Sequence, residues 1–207
     1  TLTSYVPVQP PPFQVQPRSS SGRFKVVIIS PEKFPGLPEL LENFHEFRPS
    51  SCRIYTVGAR RLQLKGTKHL GIRRGNYWDW LGEFDIALFP FQDEPCGTGR
   101  VVQECHHLGI PIIGSALGGL PEHIPKEHLV HDYSSGERWA QKLSQVISDY
   151  EQQSAFVLQK AENYDSDLEL DKISEAVASA ITAGRRVPKP PAYRQAGFGG
   201  LTVHIEG

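Results

Sequence analysis

Between Asp85 and Glu122 the chain reads DIALFPFQDEPCGTGRVVQECHHLGIPIIGSALGGLPE, and its chemistry-bearing residues gather in two short turns. The first carries Asp93, Glu94 and the glycine turn Gly97-Thr98-Gly99, and Arg100 then opens a helical pattern that contains Glu104. A glycine turn feeding a helix presents backbone N–H groups and the positive helix end to an anion, with no side chain required. Gly118-Gly119 forms the second turn. Other chemistries find less support. His106 and His107 follow Glu104, but no third ligand stands at metal spacing, so they read as ordinary helix residues and no metal is expected. Ser115, in Gly114-Ser115-Ala116, lacks the Gly-x-Ser-x-Gly elbow of a hydrolase.

Strands and helices must hold these turns in place. Ile86 to Phe89 is an apolar run closed by Pro90, the pattern of a parallel strand buried on both faces. Val101, Val102, Cys105 and Leu108 recur at near-helical spacing up to a Gly109 stop, and Ile110 to Ile113 predicts the next buried strand. Strand, glycine turn, helix, strand is a βαβ unit, whose loops lie at the carboxyl ends of strands, where open α/β sheets bind ligands. The same alternation runs through the rest. Phe24–Ile29 predicts the first strand, and Leu37, Leu40, Leu41 and Phe44 a helical face. Arg53–Val57 alternates into a second strand and His69–Ile72 into a short third one. Arg60, Arg61, Lys65 and Lys68 crowd the loop between them, as a solvated turn or as added charge beside an anion site. Trp78, Trp80, Leu81 and Phe84 stand at helical spacing as packing residues, and His128–His131 predicts a sixth strand. Ser134-Ser135-Gly136-Glu137 resembles a capping box, ahead of a stripe of Trp139, Leu143, Val146, Ile147 and Tyr150. Phe156 to Leu158, Ile173, Val177 and Ile181 predict one or two more helices up to Ala183. The fold class that follows is α/β: a doubly wound, Rossmann-like parallel sheet of about six strands in a single domain with extended tails.

At 207 residues, one domain with tails is the natural reading: a proline-rich linker or arm over 1–22, the α/β domain over 23–184, and a Pro/Gly-rich tail over 185–207. The first segment alternatively serves as a docking peptide, and the last closes on a candidate strand, Leu201–Ile205, able to pair with another chain. Charge is balanced, 22 basic against 23 acidic residues, which implies neither nucleic acid nor a charged membrane surface as a partner. No apolar run approaches the ~20 residues of a membrane span. Three scattered cysteines, Cys52, Cys96 and Cys105, read as reduced core residues and place the chain in the cytoplasm. The chain begins at Thr1 and contains no methionine, which points to a piece of a longer protein.

The residues at 94–97 (EPCG), Glu104, 109–115 (GIPIIGS) and 118–122 (GGLPE) resemble the sugar-nucleotide-binding, C-terminal domain of GT-B glycosyltransferases. The retaining GT4 enzymes and the glycogen and starch synthases are the nearest groups, and the resemblance extends over about 24–150. It implies that the partner is a nucleotide sugar. It further implies that Glu94 faces the donor sugar, that the N–H groups of Gly97, Thr98, Gly99 and Arg100 hold the pyrophosphate, and that Glu104 holds the ribose hydroxyls. Lys33 matches a lysine that reaches the donor phosphates, and Ile72 and Arg73 fall where backbone meets the base. On the residues alone, Lys33 is a solvated turn residue and Glu104 a solvent-facing helix glutamate. The family places its two glutamates eight positions apart; here Glu94 and Glu104 are ten apart, as if Thr98-Gly99 or a neighbouring pair were inserted. Ile28 stands where the family has a second phosphate-binding cation.

A GT-B enzyme needs a second, acceptor-binding domain, and none fits in the remaining residues. The expected function is therefore the donor-binding domain of a retaining glycosyltransferase, completed through its tails by a protein partner or a missing N-terminal acceptor domain. The alternative is a glycosyltransferase-like domain without activity, acting as a binding or structural module in an assembly. A third reading, another nucleotide-binding Rossmann protein, calls for a GxGxxG fingerprint after the first strand, and the sequence has none.

Overall fold

A computed structural model describes residues 2–3, 8, 10–20, 22–29, 36–58, 65–73, 77–91, 100–162, 164, scattered positions between 171 and 182, and 202–203. Its centre is a six-stranded, wholly parallel sheet. The strands are β2 (Phe24–Ile29), β3 (Cys52–Val57), β4 (Thr67–His69), β5 (Ile86–Phe89), β6 (Ile112–Ser115) and β7 (Leu129–Val130). A separate two-stranded ribbon pairs β1 (Leu2–Thr3) with β8 (Thr202–Val203). The helices are α1 (Leu37–Phe47), α2 (Tyr77–Leu81), α3 (Arg100–His107), α4 (Leu120–His123), α5 (Gly136–Ser148) and α6 (Tyr150–Ala161), with one 3-10 turn at Lys126–His128.

The sheet order is β4-β3-β2-β5-β6-β7. The chain winds outward from β2 in one direction, returns, and winds outward from β5 in the other. The order therefore reverses between β2 and β5, and in open α/β sheets ligands bind at the carboxyl edge of such a reversal. The central strands alternate their side chains between two cores, which is why β2, β5 and β6 are largely apolar, whereas the edge strand β4 (TKH) is not. Val26, Ile28, Ile86, Leu88 and Ile113 join Leu40, Phe44, Trp139 and Leu143 of α1 and α5 on one face. Val27, Ala87, Phe89 and Ile112 join Leu81, Val102, Cys105 and Leu120 of α2, α3 and α4 on the other.

Several boundaries differ from those the pattern suggests. The third strand is Thr67–His69 and ends before Leu70, because Gly71 turns the chain with φ of 69°. The fifth begins at Ile112 rather than Ile110, since Gly109, Ile110 and Pro111 only bring the chain back from α3. The last is confined to Leu129–Val130 behind the 3-10 turn. Ser135 caps α5, accepting a hydrogen bond from Arg138 N at 3.3 Å, but the stripe that continued to Tyr150 is broken at Asp149, and Tyr150 starts α6.

The arm also departs from a free linker. Residues 10–20 have neither helix nor strand, as proline demands, yet the segment is docked. Val8 is 2% exposed, Val15 packs on the second core, and Arg18 donates to the carbonyl oxygens of Leu108 (2.8 Å), Phe84 (2.6 Å) and Gly82 (3.0 Å). The C-terminal strand pairs within its own chain, Thr202–Val203 with Leu2–Thr3. Among the described residues no helix is long and apolar enough to cross a membrane.

Candidate functional site

Along the chain, the sequence-predicted residues follow the carboxyl ends of β2, β4 and β5. Lys33 follows the end of β2 at Ile29, and Glu94 follows the end of β5 at Phe89, so the two leave the strands that flank the reversal. Lys33, Glu94, Gly97, Thr98 and Gly99 themselves lie outside the described residues. Arg100, Glu104, Ile72 and Arg73 lie within them.

Arg100 is the first residue of α3, and its guanidinium is 3.9 Å from the Glu104 carboxylate one turn on. Their environments differ sharply: the Arg100 side chain is 58% exposed, whereas Glu104 as a residue is 8% exposed. Glu104 is thus not the solvent-facing glutamate that helix periodicity suggests. The reason is the position of α3, which packs between the sheet and α6 and buries Val102, Gln103, Glu104, Cys105 and His106 in succession. A carboxylate in such a place needs cationic or hydrogen-bonding company, and Arg100 and the positive helix end supply part of it. Gln103 beside it is also buried, and its Oε1 has no hydrogen-bond partner among the described residues.

Next to this helix, the end of β6 is fixed by side chains. Ser115 is fully buried and its hydroxyl donates to the Phe91 carbonyl oxygen, tying the end of β6 to the chain that leaves β5. A Cβ on Gly114 would lie 2.5 Å from Ile124 Cδ1 and 3.3 Å from Leu120 Cδ1, so a larger residue there would require these two side chains to shift. Gly118 turns the chain with φ of 54° just before α4.

Ile72 and Arg73 follow β4 at the same edge. Ile72 is 64% exposed, unusual for a side chain of its size, while Arg73 Nη2 bonds Glu83 Oε2 at 3.1 Å. Arg73 therefore has a protein partner of its own.

The sequence pattern missed a second polar group at the far end of α3. The Tyr164 hydroxyl lies 2.8 Å from His106 Nδ1 and 3.2 Å from His123 Nδ1, and Lys160 Nζ donates to the His123 carbonyl oxygen at 2.8 Å. Burial, reinforced by Lys160 and the neighbouring imidazoles, pushes His106 down to about 3. Burial and then Lys160 push His123 down to about 4. These imidazoles are neutral at pH 7. The described residues contain no group of three or more His, Cys, Asp or Glu able to hold a metal. Cys105 is no nucleophile: burial first, then the adjacent Glu104, raises its thiol far above the usual range.

Residues 25–149 match the family model described as glycosyl transferases group 1. No curated protein matches the sequence. Among solved structures, the chain is similar to HepE of Anabaena in complex with UDP, at 19% identity and a TM-score of 0.62 over 77% of this chain and 50% of that one. It is similar to sucrose-phosphate synthase of Thermosynechococcus elongatus at 15% identity and a TM-score of 0.56, over 79% of this chain and 47% of that one. WaaG, a glycosyltransferase involved in lipopolysaccharide biosynthesis, matches at 16% identity and a TM-score of 0.58, over 80% and 48%. At these identities the likeness is one of fold. The chain spans about half the length of the structures it matches.

Proposed function

Because the chain belongs to the glycosyl transferases group 1, we propose that it is the donor-binding domain of a retaining glycosyltransferase, taking a nucleoside-diphosphate sugar at the carboxyl edge of β2 and β5. One observation carries the reading: a buried glutamate, paired with an arginine, one turn into the helix that starts at the sheet's reversal point. The HepE structures with UDP and with UDP-glucose make a uridine nucleotide the first candidate.

Transfer breaks the bond between the sugar's anomeric carbon and the diphosphate oxygen, and an acceptor hydroxyl forms a new bond on the same face. Negative charge grows on the leaving diphosphate, so donors fixed in advance lower the barrier. In this reading the N–H groups of Gly97, Thr98, Gly99 and Arg100 and the α3 dipole receive that charge, with Lys33 and the exposed Arg100 adding full positive charges. Glu104 accepts hydrogen bonds from vicinal ribose hydroxyls, Glu94 faces the sugar, and Ile72 and Arg73 border the base. No metal is required, since cations and dipoles of the chain serve the diphosphate. The acceptor site belongs to a further domain or partner chain.

The ten-residue interval between Glu94 and Glu104 favours one other reading, a glycosyltransferase-like domain that binds or scaffolds without transferring. Calorimetric titration with UDP-, GDP- and ADP-sugars separates the two. Micromolar binding of one of them supports the donor domain. In that case Glu104→Ala should weaken binding about 10- to 100-fold, as expected for loss of a charge-assisted pair of hydrogen bonds worth about 1.5–3 kcal/mol. Glu94→Ala should spare the bare nucleoside diphosphate and weaken only the sugar conjugate. Silence with all three sugars supports the inactive module.

A further inference from the structure

The docked arm lies outside the family-matched residues, and among the described residues it is attached by side-chain packing and hydrogen bonds. Val8 is buried near His107 at one end of the arm, and Val15 packs on the second core in the middle. At the other end Arg18 fills a cage of three carbonyl oxygens, from Leu108, Phe84 and Gly82, while its backbone N–H donates to Ser154 Oγ at 2.9 Å. Ser154 in turn donates to the Gly109 carbonyl oxygen at 2.8 Å, so the receiving surface is itself held in shape. None of these contacts depends on the arm and the receiving surface sharing one chain.

Covalent continuity runs through a short turn into β2. There the Ser20 hydroxyl accepts from Gly22 N at 3.0 Å, and Gly22 takes φ of 77° with nothing within 4 Å of where a Cβ would be. Among the described residues of this turn, Gly22 is the left-handed one, and it stands in open space. We propose that the groove formed by Gly82–Phe84, the end of α3 and Ser154 also accepts residues 8–20 from a second copy of this chain. The product is an arm-exchanged dimer, and Gly22 is the hinge that keeps the arm on its own domain. Exchange conserves every contact of the arm and opens only the turn, which is the condition under which swapped dimers form at low cost.

The hinge gives the test a sign. A β-branched residue at φ of 77° is strained in the closed turn and relaxed in an extended connection. Gly22→Val should therefore lower the dimer dissociation constant roughly 30-fold or more, since two hinges relax per dimer. Light scattering on the full chain across a concentration series reads this directly. Deleting Ser19 and Ser20, which leaves too little chain to reverse, should also produce the dimer and serves as a second route if Gly22→Val folds poorly. Adding Arg18→Ala to either variant should return the monomer with residues 8–20 open to protease. A folded Gly22→Val or shortened chain that stays monomeric at the highest concentration reached would overturn the proposal. So would a dimer that survives Arg18→Ala, because its contact would then lie elsewhere.

Discussion

The two ends of α3 hold polar residues under opposite conditions. At its first turn, Arg100 reaches solvent and Glu104 is buried behind it. At its last turn, His106 and His107 are enclosed by Tyr164, Trp78 and the arm, and Tyr164 joins His106 to His123. One end of the helix keeps a carboxylate and an exposed cation; the other buries neutral imidazoles and closes them with the chain itself. A helix dipole favours anions at its beginning and disfavours them at its end. Substitutions at the closed end should change stability and leave ligand affinity alone, and those at the open end should do the reverse.

Acidification should break the closed end first. His106 at about 3 and His123 at about 4 bind protons far less readily than free imidazoles near 6.5. Between pH 6.5 and 4 the unfolded chain therefore binds up to two more protons at these sites than the folded one. Stability is fully present above the unfolded value and is lost as pH falls through this window. Burial lowers His107 and His128 as well, which adds in the same direction. Urea unfolding at pH 7 and pH 5 should differ by about 2–4 kcal/mol. Equal stability at the two values would mean the imidazoles are not buried neutral.

The next largest effect is expected beside the same end. Arg18→Ala removes three hydrogen bonds from a charged donor to backbone carbonyls and should cost about 2–3 kcal/mol in chemical denaturation. Arg18→Lys should recover only part, since one ammonium cannot span the planar fork of carbonyls. A cost below about 0.5 kcal/mol would show the arm to be loosely held. Tyr164→Phe is a smaller change, removing one hydroxyl shared by two imidazoles, and should cost about 1 kcal/mol with no change in nucleotide affinity. A loss of affinity in this variant would erase the distinction between the two ends.

The sheet was legible because each of its main strands is an apolar run buried on both faces, and because glycines punctuate the βαβ unit. Strand ends were less so: Ile110 looks as apolar as Ile112, and only pairing with β5 decides where β6 begins. The burial of Glu104 could not be read from periodicity, since α3 is packed on several sides and its polar residues break the amphipathic rule. The closed end was invisible for another reason. Arg18 meets residues 64 to 136 positions away, and Tyr164 meets histidines 41 and 58 positions away, with no local pattern to announce either. Proline spacing foretold that residues 10–20 are extended, but not that they are docked.

The most direct test of the central claim, that the first turn of α3 receives a nucleoside diphosphate, is an amide NMR titration of the full chain with UDP and UDP-glucose. Binding should shift the backbone signals of Arg100 to Cys105 and of Ile72, and leave His107, Leu108 and Tyr164 in place. No shift with either compound, or shifts confined to the His106–Tyr164 end, would contradict it.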